Sequence, residues 1–355
     1  MNRKIGFGLA LFVLCGVFAT WQPVVEVSAK EPVVVVIDPG HGGAAEPGAK
    51  AFGGYVEKDL TLQTALAMKQ TLEKFEGVTV YLTRSQDEVL SSEQRVAIAD
   101  DSRADFLFSL HYNAIETHHL YGSEVWTSAF GEYYAAGQTF GRLQLAEMAG
   151  KGQLIRGTKV HMSEQGSDYY SLIRGARNER IPCVIIEHCF IDNAIDRQLI
   201  DSPQKVSALG ISDALAVAKY FHLKSPSLGL DYSDYTYVEV EAPEEGIFFP
   251  DCTPPEKVQL QIVNADRQTG QVDIRLSDED AESGILYYSY SLDGGRSWSA
   301  LVPWSVPGKE MDFSVCVPAD SWPLICCRAY NGYDGWTQSN AQAPWILSVE
   351  ERSSP

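Results

Sequence analysis

Three apolar runs limit most strongly what this chain can fold into: VVVVID from Val33 to Asp38, DFLFSL from Asp105 to Leu110, and VIIE from Val184 to Glu187. Each reads as a strand of an open α/β sheet, and the three converge on one edge. Helical periodicity lies between the runs. Asp59 reads as the N-cap of an amphipathic helix to about Phe75, with Leu62, Leu66 and Leu72 near one face. VSALGISDALAVAKYFHL reads as a closing helix with Ala208, Ile211, Leu215 and Ala218 inward. The expectation for residues 32–223 is an α/β unit, an open twisted sheet with helices on both faces.

Polar residues sit at the ends of these runs. His41 follows the first through a Pro-Gly turn, His111 follows the second, Glu187 ends the third, and Glu57 lies near a helix start. In open α/β sheets, ligands gather beyond the carboxyl ends of the strands. A histidine after a strand is ordinarily structural, but a carboxylate within VIIEHCF needs a partner, because burying it alone costs several kcal/mol. Two imidazoles and a carboxylate can hold Zn2+ with one position open, and a further glutamate can act on the water there.

These residues carry a resemblance. VVVIDPGHGG, VEKDLTLQTA, VYLTRSQD, QRVAIADDSRADFLFSLHYNA and IPCVIIEHCFIDNAIDRQLI resemble the zinc-dependent N-acetylmuramoyl-L-alanine amidases of bacterial cell walls, the amidase type 3 family, from Pro32 to about Leu223. The resemblance implies that His41, Glu57 and His111 bind Zn2+ and that Glu187 is catalytic. It also implies hydrolysis of the amide joining N-acetylmuramic acid to the L-alanine of the peptidoglycan stem peptide. Arg84 and Asn113 are candidates to orient substrate or to support the ligands. The stretch between His111 and Glu187 is longer than a minimal member needs and is a candidate to shape or cover the groove.

HCF after Glu187 departs from many relatives, which carry a small residue pair with glycine there. Strand alternation puts Cys183, Ile185, Glu187 and Cys189 on one side and turns His188 to the other, where it packs. A Cys183–Cys189 disulfide is excluded by about 20 Å of extended strand, against the roughly 7 Å a bridge tolerates.

Met1 to Ala29 reads as a signal peptide: Arg3 and Lys4, an apolar core from Ile5 to about Ala19, then Val27-Ser28-Ala29. The core is shorter than the ~20 residues of a spanning helix, and no other stretch suits a bilayer. The chain is therefore expected to be secreted to the cell wall or envelope, with no transmembrane segment after cleavage. A net charge of −19 removes the electrostatic reason to bind nucleic acid or anionic surfaces. Peptidoglycan is the expected partner, and a monomer is assumed.

After Leu223 the pattern changes. Residues 224–255 read as a linker rich in proline, acids and tyrosine, with a candidate strand in YTYVEVE. Short alternating runs over 256–348 suggest a smaller all-β unit, an immunoglobulin/fibronectin-like sandwich. Export permits one disulfide among Cys252, Cys316, Cys326 and Cys327. SLDGGRSW is similar to the Asp box of secreted β-hairpins, with Asp293 accepting from the turn backbone and Trp298 packed beneath. Trp304, Trp322 and Trp336 are candidates for a sugar-stacking face. Beside the amidase two alternatives stand: a wall-binding or regulatory protein with a degenerate enzyme domain, and a zinc peptidase or deacetylase acting on the same polymer.

Overall fold

The computed structural model describes residues 31–345 apart from 52 and 307. The expected signal peptide, and the last residues of the expected accessory unit, lie outside the described residues. Six strands form the first sheet: β1 (Val33–Pro39), β2 (Val78–Leu82), β3 (Phe106–Asn113), β4 (Ser123–Thr127), β5 (Ile155–Val160) and β6 (Cys183–Phe190). Their order is β2-β1-β3-β6-β4-β5. The first four are parallel, whereas β4 pairs antiparallel with β6 and parallel with β5.

Helices α1 (Glu57–Leu72), α2 (Ser92–Asp101), α3 (Gly131–Ala149), α4 (Ser171–Asn178) and α5 (Pro203–Tyr220) cover both faces. Val35, Ile37, Phe106, Phe108 and Leu110 pack against Met68, Phe140 and Val217 of α1, α3 and α5. Val36, Leu107 and Ile185 meet Val96, Leu172 and Ile173 of α2 and α4. Burial on both faces explains the unbroken apolar runs. Ser91 and Gln94 form a capping box at α2, and Ser202 caps α5 ahead of Pro203. No helix among the described residues is long and apolar enough to cross a membrane.

Three sequence expectations change. Helix α1 starts at Glu57 rather than after Asp59, because the Lys50–Ala51/Tyr55–Val56 hairpin feeds it directly and the Glu57 N–H donates to Ala49 O at 2.9 Å. Its inner face runs through Leu60, Thr61, Thr64, Ala65, Met68 and Leu72, leaving Leu66 44% exposed. Likewise Ile211 of α5 is 43% exposed, and Leu209, Ser212, Asp213 and Ala216 point inward.

The remaining strands are β7 (Lys257–Asp266), β8 (Gln271–Glu279), β9 (Ile285–Ser291), β10 (Val302–Pro303), β11 (Glu310–Cys316), β12 (Cys326–Asn331) and β13 (Trp336–Gln338). They form two antiparallel sheets, β7-β8-β11 and β10-β9-β12-β13. Val272, Ile274 and Leu276 of one meet Tyr288, Cys327 and Ala329 of the other in a shared core, the arrangement of a sandwich. The Asp293 carboxylate accepts from the Arg296 and Ser297 N–H groups at 2.9 Å, and Trp298 lies under the Arg328 guanidinium. Trp304 is partly buried against the core, while Trp322 and Trp336 are exposed.

YTYVEVE forms no strand, and the connecting segment is tied down. Val240 N–H donates to Thr139 Oγ1, Gly131 N–H to Gly246 O, and Phe248 N–H to Ala129 O, at 2.8, 2.9 and 2.8 Å. Cys183, Cys189, Cys252, Cys316, Cys326 and Cys327 are all free thiols. The expected bridge in the second half is not formed: Cys252 and Cys316 are exposed, and Cys326 and Cys327 are buried and adjacent on one strand.

Candidate metal centre

Strand β1 delivers Asp38, Pro39 and Gly40 to the carboxyl edge of the sheet, and His41 turns off it in the left-handed region at φ 60. Gly40 is required there: a Cβ would fall 2.3 Å from the His111 ring. Gly48, at φ +68, lies as close on the other side, where a Cβ would meet Glu57 Oε2 at 2.5 Å. Beneath the turn, buried Asp38 accepts from Arg95 Nη1 at 2.5 Å and from Ser109 Oγ at 2.7 Å.

The three expected ligands come together. Donor atoms of His41, Glu57 and His111 all lie within 4.8 Å of one another. Glu57 Oε2 is 3.2 Å from His41 Nε2, and Oε1 is 3.0 Å from His111 Nδ1. The Ala49 and Tyr112 N–H groups donate to the same carboxylate at 2.8 and 3.1 Å, and the other His111 nitrogen meets Ser109 Oγ at 3.1 Å. Outer contacts of this kind fix ligand orientation. Burial raises the proton affinity of Glu57, but hydrogen bonds and charge from His111 and His41 outweigh it and hold the carboxyl well below its usual range. Two imidazoles and one ionised carboxylate around a single point are a donor set suited to Zn2+.

Glu187 stands beside this cluster, paired in register with His111 on β3 and with Glu124 on β4. Its Oε2 is buried and has no hydrogen-bond partner. Burial first, then the charges of Glu57 and Glu124, push its carboxyl well above the ordinary range. A carboxyl with raised proton affinity is suited to take and return a proton near neutral pH. The groove over the cluster, about 410 Å³, is lined by His41, His111, Leu90, Ser91, Glu93 and Tyr170. Tyr170 belongs to the long stretch between His111 and Glu187.

Of the two expected roles for Arg84, its contacts are those of support for the ligand turn, and it does not line the groove. It is 2% exposed, and all three guanidinium nitrogens are engaged: Nε with Pro39 O, Nη1 with Gln86 O, and Nη2 with Gly40 O, Lys58 O and Thr61 Oγ1. It holds the His41 turn against the start of α1. The Asn113 amide nitrogen donates to Glu124 Oε1 at 3.0 Å. His188 packs on the far side as expected, with Nε2 2.9 Å from Asp213 and its ring stacked on Tyr112. Cys189 does not share the Glu187 side. A bulge sets two residues of β6, His188 and Cys189, against one of β3, Tyr112, and it turns Cys189 into the cluster of Leu60, Tyr112 and Met148.

Sequence reasoning passed over Glu124. It is 3% exposed, accepts from Arg156 Nε and Lys159 Nζ at 2.9 and 2.8 Å, and is held down at a pKa of about 2, where their charges and hydrogen bonds overcome its burial. Alternation along RGTK would put Arg156 and Lys159 on opposite faces; a register shift at Arg156 brings both to Glu124, so the alternation itself gave no signal.

Residues 35–219 match the amidase type 3 family, described as N-acetylmuramoyl-L-alanine amidase. The N-acetylmuramoyl-L-alanine amidase CwlM of Bacillus licheniformis is 29% identical over 199 residues, covering 56% of this chain and 72% of that one. The sporulation-specific N-acetylmuramoyl-L-alanine amidase of Bacillus subtilis is 28% identical over 202 residues, 55% of this chain and 71% of its own. Among solved structures, Cwp6 from Clostridium difficile superposes with a TM-score of 0.50 at 30% identity, over 53% of this chain and 29% of that one. With the family matched across the whole sheet that carries the site, the chain belongs to the N-acetylmuramoyl-L-alanine amidases of type 3, hydrolases of a peptidoglycan amide bond.

Proposed function

We propose that this chain is a zinc-dependent amidase in which His41, Glu57 and His111 hold one Zn2+ and Glu187 is the general base and then the general acid. The observation that carries this reading is the meeting of the three donors within 4.8 Å of one another, with Glu187 in register beside His111. A zinc ion in that position supplies Lewis-acid activation of water and of the scissile carbonyl. The protein does the rest. Glu187 removes a proton from the attacking water and returns it to the departing nitrogen of L-alanine. Asn113 steadies Glu124 next to that carboxylate, and Arg84 fixes the turn that presents His41. The products are an uncut glycan strand and a stem peptide with a free amino terminus.

The reading assigns catalysis to residues 32–223, connection to 224–255 and an accessory sandwich to 256–348, in a monomer exported by a signal peptide at 1–29 to act on the wall. Digestion of purified walls followed by mass spectrometry, with and without a chelator, tests it. New L-alanine amino termini that disappear on chelation and return with Zn2+ are the expected result. Free glucosamine amines or shortened peptides would assign a deacetylase or peptidase instead, and no product would leave a degenerate domain.

A further inference from the structure

A buried charged cluster joins the sandwich to the strand beside Glu187. Glu124 spends one oxygen on Asn113 and the other on Arg156 and Lys159. Arg156 reaches onward: Nη2 donates to Asp334 Oδ2 at 2.5 Å, and Nη1 to the Tyr287 hydroxyl at 2.6 Å. The hydroxyl in turn donates to Tyr121 O at 2.6 Å. The guanidinium lies 5.1 Å from the Phe190 ring of β6 and 5.4 Å from the Tyr287 ring. Tyr287 is on β9 and Asp334 is in the turn between β12 and β13, so both come from the sandwich. Leu120, Tyr121 and Phe190 pack against Tyr287, Leu301 and Tyr330 around the cluster and seal it.

Two carboxylates, Glu124 and Asp334, face two cations, Arg156 and Lys159, and buried Asp196 lies close enough to feel the charge of Arg156. Without Asp334 the Arg156 guanidinium loses one carboxylate partner, and Glu124, its other partner, is paired in register across the sheet with Glu187, whose Oε2 has no partner. A guanidinium that turned onto Glu187 would tie up the carboxylate needed for proton transfer.

We propose that Asp334 and Tyr287 are positioning residues for the amidase reaction: by anchoring Arg156 on Glu124 they keep it off Glu187. The sandwich is then a structural part of the catalytic site, not only an appendage to it. The inference rests on the reading of Glu187 as the base.

The test is steady-state kinetics of the full-length chain on a soluble muramyl-peptide, with bound zinc and the melting midpoint measured on each variant. Asp334→Asn should lower kcat about tenfold or more, with KM and zinc content unchanged, and Asp334→Glu should restore most of it. Tyr287→Phe should lower kcat by less, and Val263→Ala, at an exposed position of the sandwich, should have no effect. Wild-type kcat in Asp334→Asn overturns the inference, as does a loss that only follows the folded or zinc-bound fraction. If Asp334→Asn is not recovered folded, Tyr287→Phe decides, and an unchanged kcat there overturns it equally. Glu187→Gln is run alongside: inactive Glu187→Gln with fully active Asp334→Asn sinks this inference alone, whereas active Glu187→Gln sinks the base assignment and this inference with it.

Discussion

His111 and Glu187 occupy paired positions on adjacent parallel strands, so a proposed metal ligand and the proposed base are held together by sheet register rather than by a loop. Glu187→Gln keeps the shape and removes the proton acceptor. Turnover is expected to fall by about 10²- to 10⁴-fold or more while the zinc content stays near one ion per chain. His111→Ala is expected to lose both. Parallel metal analysis and wall digestion check this, and a Gln variant working at the normal rate would remove Glu187 from the mechanism.

Arg84→Ala is expected to act on stability first. It removes charge-assisted hydrogen bonds to the carbonyls of Pro39, Gly40 and Lys58, each worth about 1.5–3 kcal/mol, while Arg95 Nη1 and Thr61 Oγ1 still donate to those oxygens. A loss of roughly 3 kcal/mol or more, about 10 °C in melting midpoint for a unit of this size, is expected by calorimetry. A variant with an unchanged midpoint and a raised KM would instead restore the role of Arg84 in substrate contact.

Asp278 gives the sandwich a pH dependence. Burial, then the neighbouring charge of Asp280, raises its pKa from 3.8 to about 7, and its Oδ1 has no partner. Because the folded state holds this proton more tightly, stability is expected to fall as pH rises from about 4 to about 7 and then level off. Asp278→Asn is expected to raise the sandwich melting midpoint at pH 8 and to make little difference at pH 4. Equal shifts at both values would point to a cause other than the carboxyl proton.

Asp293 is expected to matter for folding and not for chemistry. Its carboxylate gathers Arg296 N–H, Ser297 N–H and the Ser291 and Ser297 hydroxyls, and these bonds hold its carboxyl well below the ordinary range. Asp293→Ala is expected to lower the melting midpoint and leave kcat on soluble substrate intact. A binding assay on purified walls that dropped without loss of stability would speak for a sugar contact.

The sheet and three of its candidate site residues were readable because unbroken apolar runs mark their strands and a polar residue ends each one. The helix faces were harder. On α1, Thr64 and Thr71 are buried by hydrogen-bonding back to the carbonyls of Leu60 and Ala67. Counting only apolar residues therefore turned Leu66 inward. On α5, buried Asp213 meets Gln144 and His188 from distant segments, a pairing no local pattern announces. The β6 bulge has no glycine or proline to signal it. Glu124 was missed for the same reason as Asp213: its burial makes sense only once Arg156 and Lys159 are in place.

The connecting segment lies fastened along α3 by Val240, Gly246 and Phe248, so the two halves cannot swing like beads on a string. A free tether would let one module hold a polymer while the other searches nearby, with the local enrichment that a flexible linker brings. Here hydrogen bonds to α3 and the packed Tyr121–Tyr287 face hold the two halves against each other. Any grip exerted by the sandwich would then fix the angle at which the groove approaches a glycan chain, and so choose which bonds are presented, without lengthening the enzyme's reach.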